Sequence, residues 1–239
     1  LSGHFDFTHV ESLIEENAHG HEEKIEAYRH AVVAIDDEVE ALAKLITLSG
    51  KIPIAIGGGH NNALPIITGV SIALNKPINV VNIDAHADLR VTTEGRHSGN
   101  GFSYAIQHGY LSHYQIFGLQ QNYVNQNLPN YINSNPNIKA FYFEDLLLSS
   151  KSAIENWNDF TARLQEPCGL EIDLDSIENV LSSAVSSSGF AYLMLARNLN
   201  YFGWVKFKAS IPVITIVGSS ANHLRHVMTD ENQPALAGW

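Results

Sequence analysis

The chain is poor in cysteine, in basic residues and in long apolar runs, and each shortage narrows what it can be. Its single cysteine, Cys168, rules out a disulfide framework within the chain and suits a reducing compartment; just ahead of an apolar run, it reads as a small core residue. Lysine and arginine number 14 against 25 aspartates and glutamates, a formal net charge of -11. That balance argues against nucleic acid or an anionic membrane surface as partner. No apolar stretch approaches the roughly 20 residues of a membrane span. The opening, Leu1-Ser-Gly-His-Phe-Asp-Phe7, does not read as a secretory signal. No Pro/Gly/Ser-rich linker and no repeat interrupts the chain. Its 239 residues, 45% apolar and evenly spread, therefore read as one domain over 1–239, soluble and cytoplasmic.

What is present is a set of apolar runs with two different periods. Ile25, Tyr28, Val32, Ile35, Val39, Leu42 and Ile46 recur at helical spacing, predicting a helix over His21–Leu48 that Ser49-Gly50 ends. Ala63–Leu74 is a second helix candidate, with Pro65 in its first turn. Ala153–Leu164 and Phe190–Lys206 are also helical in pattern. Between them lie short runs that are apolar throughout: Ile52–Ile56, Ile78–Ile83, Tyr114–Leu119, Lys139–Phe143, Gly169–Leu174 and Ile211–Val217. Strands of that kind, separated by helices, predict an α/β fold with a mainly parallel sheet covered on both faces. In such sheets function gathers at the carboxyl ends of the strands.

Three of these ends carry metal-ligand chemistry. Ile54–His60 (IAIGGGH) ends in His60, Val80–Asp88 (VVNIDAHAD) supplies Asp84, His86 and Asp88, and Leu170–Asp175 (LEIDLD) supplies Asp173 and Asp175. Asp84, His86 and Asp88 lie two apart, so in an extended segment they fall on one side and converge. An isolated aspartate after a strand is commonly a helix cap or loop carboxylate. Four carboxylates at the ends of buried strands are a different matter, because unpaired buried charge is expensive and few basic residues are at hand. Two divalent cations would balance all four. Oxygen and imidazole donors without thiolate favour Mn²⁺, or Zn²⁺, Fe²⁺ or Co²⁺ by substitution.

In order and spacing, Gly57-Gly-Gly-His60, Asp84-Ala-His-Ala-Asp88 and Glu171-Ile-Asp-Leu-Asp-Ser-Ile-Glu178 resemble the three signature motifs of the ureohydrolase superfamily of arginases, agmatinases and formimidoylglutamases. The resemblance spans about residues 50–185. It implies a three-layer α/β/α sandwich and two Mn²⁺ ions per chain. One ion would be held by His60, Asp84, Asp88 and Asp173, the other by His86, Asp84, Asp173 and Asp175, with Asp84 and Asp173 bridging. It implies hydrolysis of a carbon–nitrogen bond in a guanidine or linear amidine by a water that the two metals acidify. Asp175 would accept its proton and pass it to the leaving nitrogen. A small-molecule substrate and assembly into trimers or hexamers are implied as well.

Departures from the family pattern select among its activities. Gly59 stands where arginases and agmatinases usually have an aspartate, as it does in formimidoylglutamases. Arg90, two residues after Asp88, could grip a substrate carboxylate with its planar fork. Both features favour N-formimidoyl-L-glutamate, cleaved to L-glutamate and formamide in histidine breakdown, over arginine or agmatine. His97, in the glycine-rich loop Glu94–Gly101, matches a family histidine that relays protons to the leaving group and contacts substrate, and its ordinary pKa suits that work. Arg96 is a second candidate for the substrate carboxylate. The third motif opens with Glu171 in place of a small hydroxyl residue and closes with Glu178-Asn179 in place of Asp-Pro. Gly218-Ser219-Ser220 follows the last strand where relatives place a glutamate that grips a cationic substrate end. Those last departures leave open a catalytically silent member that binds metal only.

Overall fold

A computed structural model of the chain describes residues 3–164, 166–177 and 214–217. Along these the chain forms α1 (Thr8–Asn17), α2 (His21–Leu48), β1 (Ile54–Ile56), α3 (Ala63–Leu74), β2 (Ile78–Ile83), α4 (Gly101–Gln107), β3 (Leu111–Leu119), α5 (Leu128–Ser134), β4 (Ile138–Tyr142), α6 (Phe143–Leu148), α7 (Ala153–Thr161), β5 (Cys168–Asp173) and β6 (Ile214–Val217). The six strands make one parallel sheet in the order β1-β6-β5-β2-β3-β4. β2 lies inside it, paired with β5 on one side and β3 on the other, and all six of its residues are buried. That double burial is why it reads as a continuous apolar run rather than an alternating one.

Alternate residues of the strands feed two cores. Ile78 and Val80 of β2, with Tyr114 and Ile116 of β3, pack with Ile67 and Val70 of α3 and Phe102 and Ala105 of α4. Val81 and Ile83 of β2, with Cys168, Leu170 and Ile172 of β5, pack on the other face with Phe143 of α6 and Trp157 of α7. The fold is thus the three-layer α/β/α sandwich expected, and Cys168 is a buried core residue.

The long elements match the sequence reading closely. α2 and α3 occupy the residues expected, and their ends have local causes. Glu22 and Glu23 open α2, where carboxylates complement the helix dipole. Gly50, at φ +73°, takes the left-handed turn that ends it. α3 is apolar all round, with nine of its twelve residues buried, because it lies between the sheet and α2. Gly69 permits that approach: a Cβ there would stand 2.5 Å from the Glu40 carbonyl oxygen on α2.

The differences are mostly at boundaries. The strand expected from Ile52 begins at Ile54, and that expected from Tyr114 begins at Leu111. Phe143, placed in a strand, instead starts α6, and Leu174, placed in another, starts a 3₁₀ turn. The α7 helix stops at Thr161 rather than Leu164. Four short helices, α1, α4, α5 and α6, were not expected. The helix expected over Phe190–Lys206 and the Ile211–Pro212–Val213 part of the last strand lie outside the described residues. Among the described residues, no helix is long and apolar enough to cross a membrane.

Candidate metal centre

The carboxyl ends of β1, β2 and β5 bring the six candidate ligands to one place by three different local devices. After β1, Gly57 and Gly58 adopt φ +99° and +77°, a region that glycine alone enters at little cost. The chain turns there into a short 3₁₀ segment that begins at His60, which is 4% exposed. The His60 ring stands edge-on to Phe102, with centroids 5.1 Å apart.

After β2, Asp84 stays alongside β3 through an N–H bond to the Phe117 carbonyl at 3.2 Å. Its Oδ1 accepts the His86 backbone N–H at 2.7 Å, folding the chain back over itself. Asp88 then sits at φ +48°, a left-handed conformation that aspartate tolerates better than most residues. Asp84, His86 and Asp88 therefore converge through a tight turn, not through the alternation of an extended segment. After β5, Asp173 uses its Oδ1 to accept the Asp175 N–H at 3.1 Å, which nucleates the 3₁₀ turn carrying Asp175.

Around His60, Nδ1 lies 2.8 Å from Asp88 Oδ2, 3.2 Å from Asp173 Oδ2 and 3.4 Å from Asp84 Oδ2. Around His86, Nδ1 lies 3.0 Å from Asp175 Oδ2 and 3.6 Å from Asp84 Oδ1. Two compact donor groups result among the described residues: His60, Asp84 and Asp88, and Asp84, His86 and Asp175, the ligand atoms of each lying within 4.8 Å of one another. Asp84 belongs to both, one oxygen toward each imidazole. Asp173 approaches His60 and is a member of neither compact group.

These donors suit a pair of divalent cations. His60 Nδ1 and Asp175 Oδ1 are buried, and neither makes a well-formed hydrogen bond among the described residues. Burial opposes charge on His60, yet the carboxylates of Asp88, Asp173 and Asp84 outweigh it and raise its pKa well above the ordinary value. His86 is likewise disfavoured by burial but lifted to about 11 by Asp175 and Asp84. Burial raises Asp84, while His60 and His86 pull it down to about 2. Burial pushes Asp175 up to about 7 against the pull of His86. The same carboxylates that favour a proton on each imidazole would favour a divalent cation in its place.

The rim residues are arranged differently. Arg90 Nη2 pairs with Glu94 Oε2 at 2.8 Å, and the Arg90 side chain is two-thirds exposed. His97 Nε2 reaches the same Glu94 oxygen at 3.1 Å, while its Nδ1 accepts the Gly99 N–H at 3.1 Å. Burial, and then the Arg90 charge, lower the His97 pKa. Arg90, Glu94 and His97 thus form one small charged group. Arg96 is corrected by the structure. It is 5% exposed and forks onto Asp36 of α2 at 2.6 and 3.0 Å, with further bonds to the Asn61 carbonyl and Asn100 Oδ1. A guanidinium so fully used is a tie between α2 and the loop, not a substrate anchor.

Four supporting residues were not singled out as functional from the sequence. Asn82 donates to Asp84 Oδ2 at 2.8 Å and to the Tyr114 hydroxyl at 3.0 Å, and that hydroxyl donates to the Ala87 carbonyl. Glu171 Oε2 lies 3.0 Å from His60 Nε2. The Tyr123 ring sits 4.3 Å from that of His86, centroid to centroid. A polar residue inside an otherwise apolar run was the available signal for Asn82 and Glu171. For Tyr114 and Tyr123 there was none.

A family model described as "Arginase family" matches residues 4–191. The chain is 38% identical over 84 residues to a formimidoylglutamase of Geobacillus thermodenitrificans, covering 34% of this chain and 26% of that protein. It is 34% identical over 99 residues to a formimidoylglutamase of Hahella chejuensis, covering 36% of this chain and 31% of that one. The chain therefore spans less than a third of the length of either curated relative. Among solved structures it resembles formiminoglutamase of Trypanosoma cruzi crystallised with Mn²⁺, at a TM-score of 0.66 and 17% identity, over 84% of this chain and 65% of that one.

Proposed function

The chain belongs to the arginase family, and from that premise we propose that it is a binuclear-metal hydrolase of linear amidines acting on N-formimidoyl-L-glutamate. The observation that carries the reading is the sharing of Asp84 between two donor groups, each with its own imidazole. Mn²⁺ is the proposed ion, from the donor chemistry and from the metal named for the Trypanosoma cruzi structure. His60, Asp84, Asp88 and Asp173 would hold one ion, and Asp84, Asp173, His86 and Asp175 the other. Bound there, the pair supplies a water-derived nucleophile at neutral pH and Lewis-acid activation of a planar amidine carbon.

The chain's own residues then have separate work. Asp175, on the 3₁₀ turn after β5 with its Oδ2 3.0 Å from His86 Nδ1, is placed to accept a proton and pass it to a leaving nitrogen. His97, kept below its ordinary pKa by burial and Arg90, relays a proton to the leaving group. Arg90 receives the substrate carboxylate, exchanging its exposed pairing with Glu94 for a charge-assisted contact. The activity named for the two curated relatives and the glycine at position 59 support the amidine over a guanidine.

The test is a substrate panel with Mn²⁺-loaded protein. Release of formamide and glutamate from N-formimidoyl-L-glutamate, with arginine and agmatine left intact, is expected. Turnover of agmatine alone would overturn the substrate assignment and the role of Arg90. Loaded protein inert toward all three would favour a member that binds metal without catalysis.

A further inference from the structure

Glu171 is a fully buried carboxylate set in the middle of β5, between Leu170 and Ile172 of the core. Its register partners are Asn82 on β2 and Thr215 on β6. All three are at 0% exposure, so a polar row crosses the central strands beneath the metal donors. Leu170 and Ile172 face α6 and α7, so Glu171 points to the opposite side, where His60 enters. Burying a carboxylate there is costly unless it is partnered. Its Oε2 has one partner, His60 Nε2 at 3.0 Å, and Oε1 has none among the described residues.

The His60 ring is thereby divided between two tasks. Nδ1 faces Asp88, Asp173 and Asp84, while Nε2 faces Glu171. With Nδ1 turned to the three aspartates as the metal-facing donor, the ring hydrogen belongs on Nε2, where Glu171 Oε2 is placed to accept it. Hydrogen bonding of the outer ring nitrogen to a carboxylate fixes ring orientation and makes the metal-facing nitrogen more basic. On the binuclear-metal reading given above, we propose that Glu171 is a positioning residue for the cation held by His60, Asp84 and Asp88. By accepting the Nε2 hydrogen on Oε2 it selects the His60 tautomer that turns the Nδ1 lone pair toward this one site. Among the described residues no carboxylate pairs with the outer nitrogen of His86, whose ring contacts run from Nδ1 to Asp84 and Asp175. The two sites should therefore respond differently to loss of Glu171.

The experiment is titration of the full metal-stripped chain with Mn²⁺, read by calorimetry, for wild type, Glu171→Ala, Glu171→Gln and His60→Ala. Glu171→Ala is expected to weaken one ion about tenfold to a hundredfold, the usual effect of losing such a partner, and to leave the other near its wild-type affinity. Glu171→Gln keeps an accepting oxygen and should recover most of the loss. Unchanged affinities in Glu171→Ala, or a glutamine no better than alanine, would overturn the assignment. His60→Ala separates this inference from its premise. If it still binds two ions at wild-type affinity, the metal-centre reading itself fails; if it loses an ion while Glu171→Ala does not, only the role of Glu171 fails. Should Glu171→Ala not fold, NMR of Zn²⁺-loaded protein with ¹⁵N-labelled histidine decides between wild type and Glu171→Gln. An exchange-protected His60 Nε2–H that moves upfield in the glutamine variant is expected, and a signal indifferent to the change overturns the proposal.

Discussion

Asp36→Ala should destabilise the fold strongly although Asp36 lies outside the metal centre, and the structure sets the size of the loss. Arg96 is 5% exposed and bonded to both Asp36 oxygens, with the side chain of Asp36 13% exposed. Burial raises the Asp36 pKa while Arg96 opposes the rise, the mark of a carboxylate held in a dry place by its partner. Removing it leaves a buried guanidinium whose remaining partners, the His97 and Asn61 carbonyls and Asn100 Oδ1, are all neutral. Breaking a buried pair this way costs about 3–5 kcal/mol, and those remaining acceptors place the loss near the lower end. At about 2–4 °C per kcal/mol for a chain of this size, the midpoint should fall by roughly 6–12 °C. Thermal and urea unfolding of metal-free protein measure it. Combining the change with Arg96→Met should restore much of the stability, since neither charge is then stranded. A loss below about 1 kcal/mol in Asp36→Ala, or strict additivity in the double variant, would refute the view of Arg96 as a structural tie.

The remaining predictions concern the site. Arg90→Ala should raise KM for N-formimidoyl-L-glutamate by about tenfold, toward the low end for a charge-assisted contact because the side chain is exposed and already paired with Glu94; an unchanged KM in steady-state assays would remove it from the substrate site. His97→Ala should instead lower kcat with little change in KM, as expected for a group acting in the transition state; the opposite split would exchange the two roles. Binding of Mn²⁺ to metal-free protein near pH 7.5 should release protons. His60 and His86 have pKa values raised above the ordinary one, that of His86 to about 11, so both rings are charged there and must lose a proton to bind metal. Affinity should accordingly rise with pH, and calorimetry in buffers of different ionisation enthalpy that detects no release would contradict the donor assignment. Saturating Mn²⁺ should also raise the melting midpoint, with about 2.7 kcal/mol gained at a hundredfold excess over Kd; an unmoved midpoint would mean that native protein does not bind it.

Much of this was legible in the sequence, for reasons that differ by element. The periodicity of α2 runs for 28 residues with solvent on one side, so its apolar stripe is unmistakable. β2 and β5 are buried on both faces and read as unbroken apolar runs, and the ligands follow directly where those runs stop. The helices α4, α5 and α6, of six or seven residues, are too short to show a period and are held by tertiary packing. The left-handed Asp88 was equally hidden: spacing alone suggested an extended convergence, and only the backbone shows the turn. Arg96 was misread because its partner, Asp36, is distant in sequence and stands on a helix face that looks merely charged. Glu171 was visible as a departure from the family pattern, yet its meaning depends on a ring 111 residues away.

Asp84, Asp175 and Glu171 are nearly or wholly buried, and no lysine or arginine forms an ion pair with them among the described residues. Their close charged neighbours are two histidines, one buried and one partly so. Charge stored in that way is destabilising to a bare fold and becomes favourable once divalent ions replace the protons on those rings.

The central claim is a two-ion centre built around a shared Asp84, and equilibrium dialysis against Mn²⁺ with metal analysis of the retained protein tests it most directly. Wild-type protein should retain about two ions per chain, in keeping with a two-metal site, and Asp84→Ala should lose affinity at both. One ion or none per wild-type chain, or full occupancy by two ions in Asp84→Ala, would contradict it.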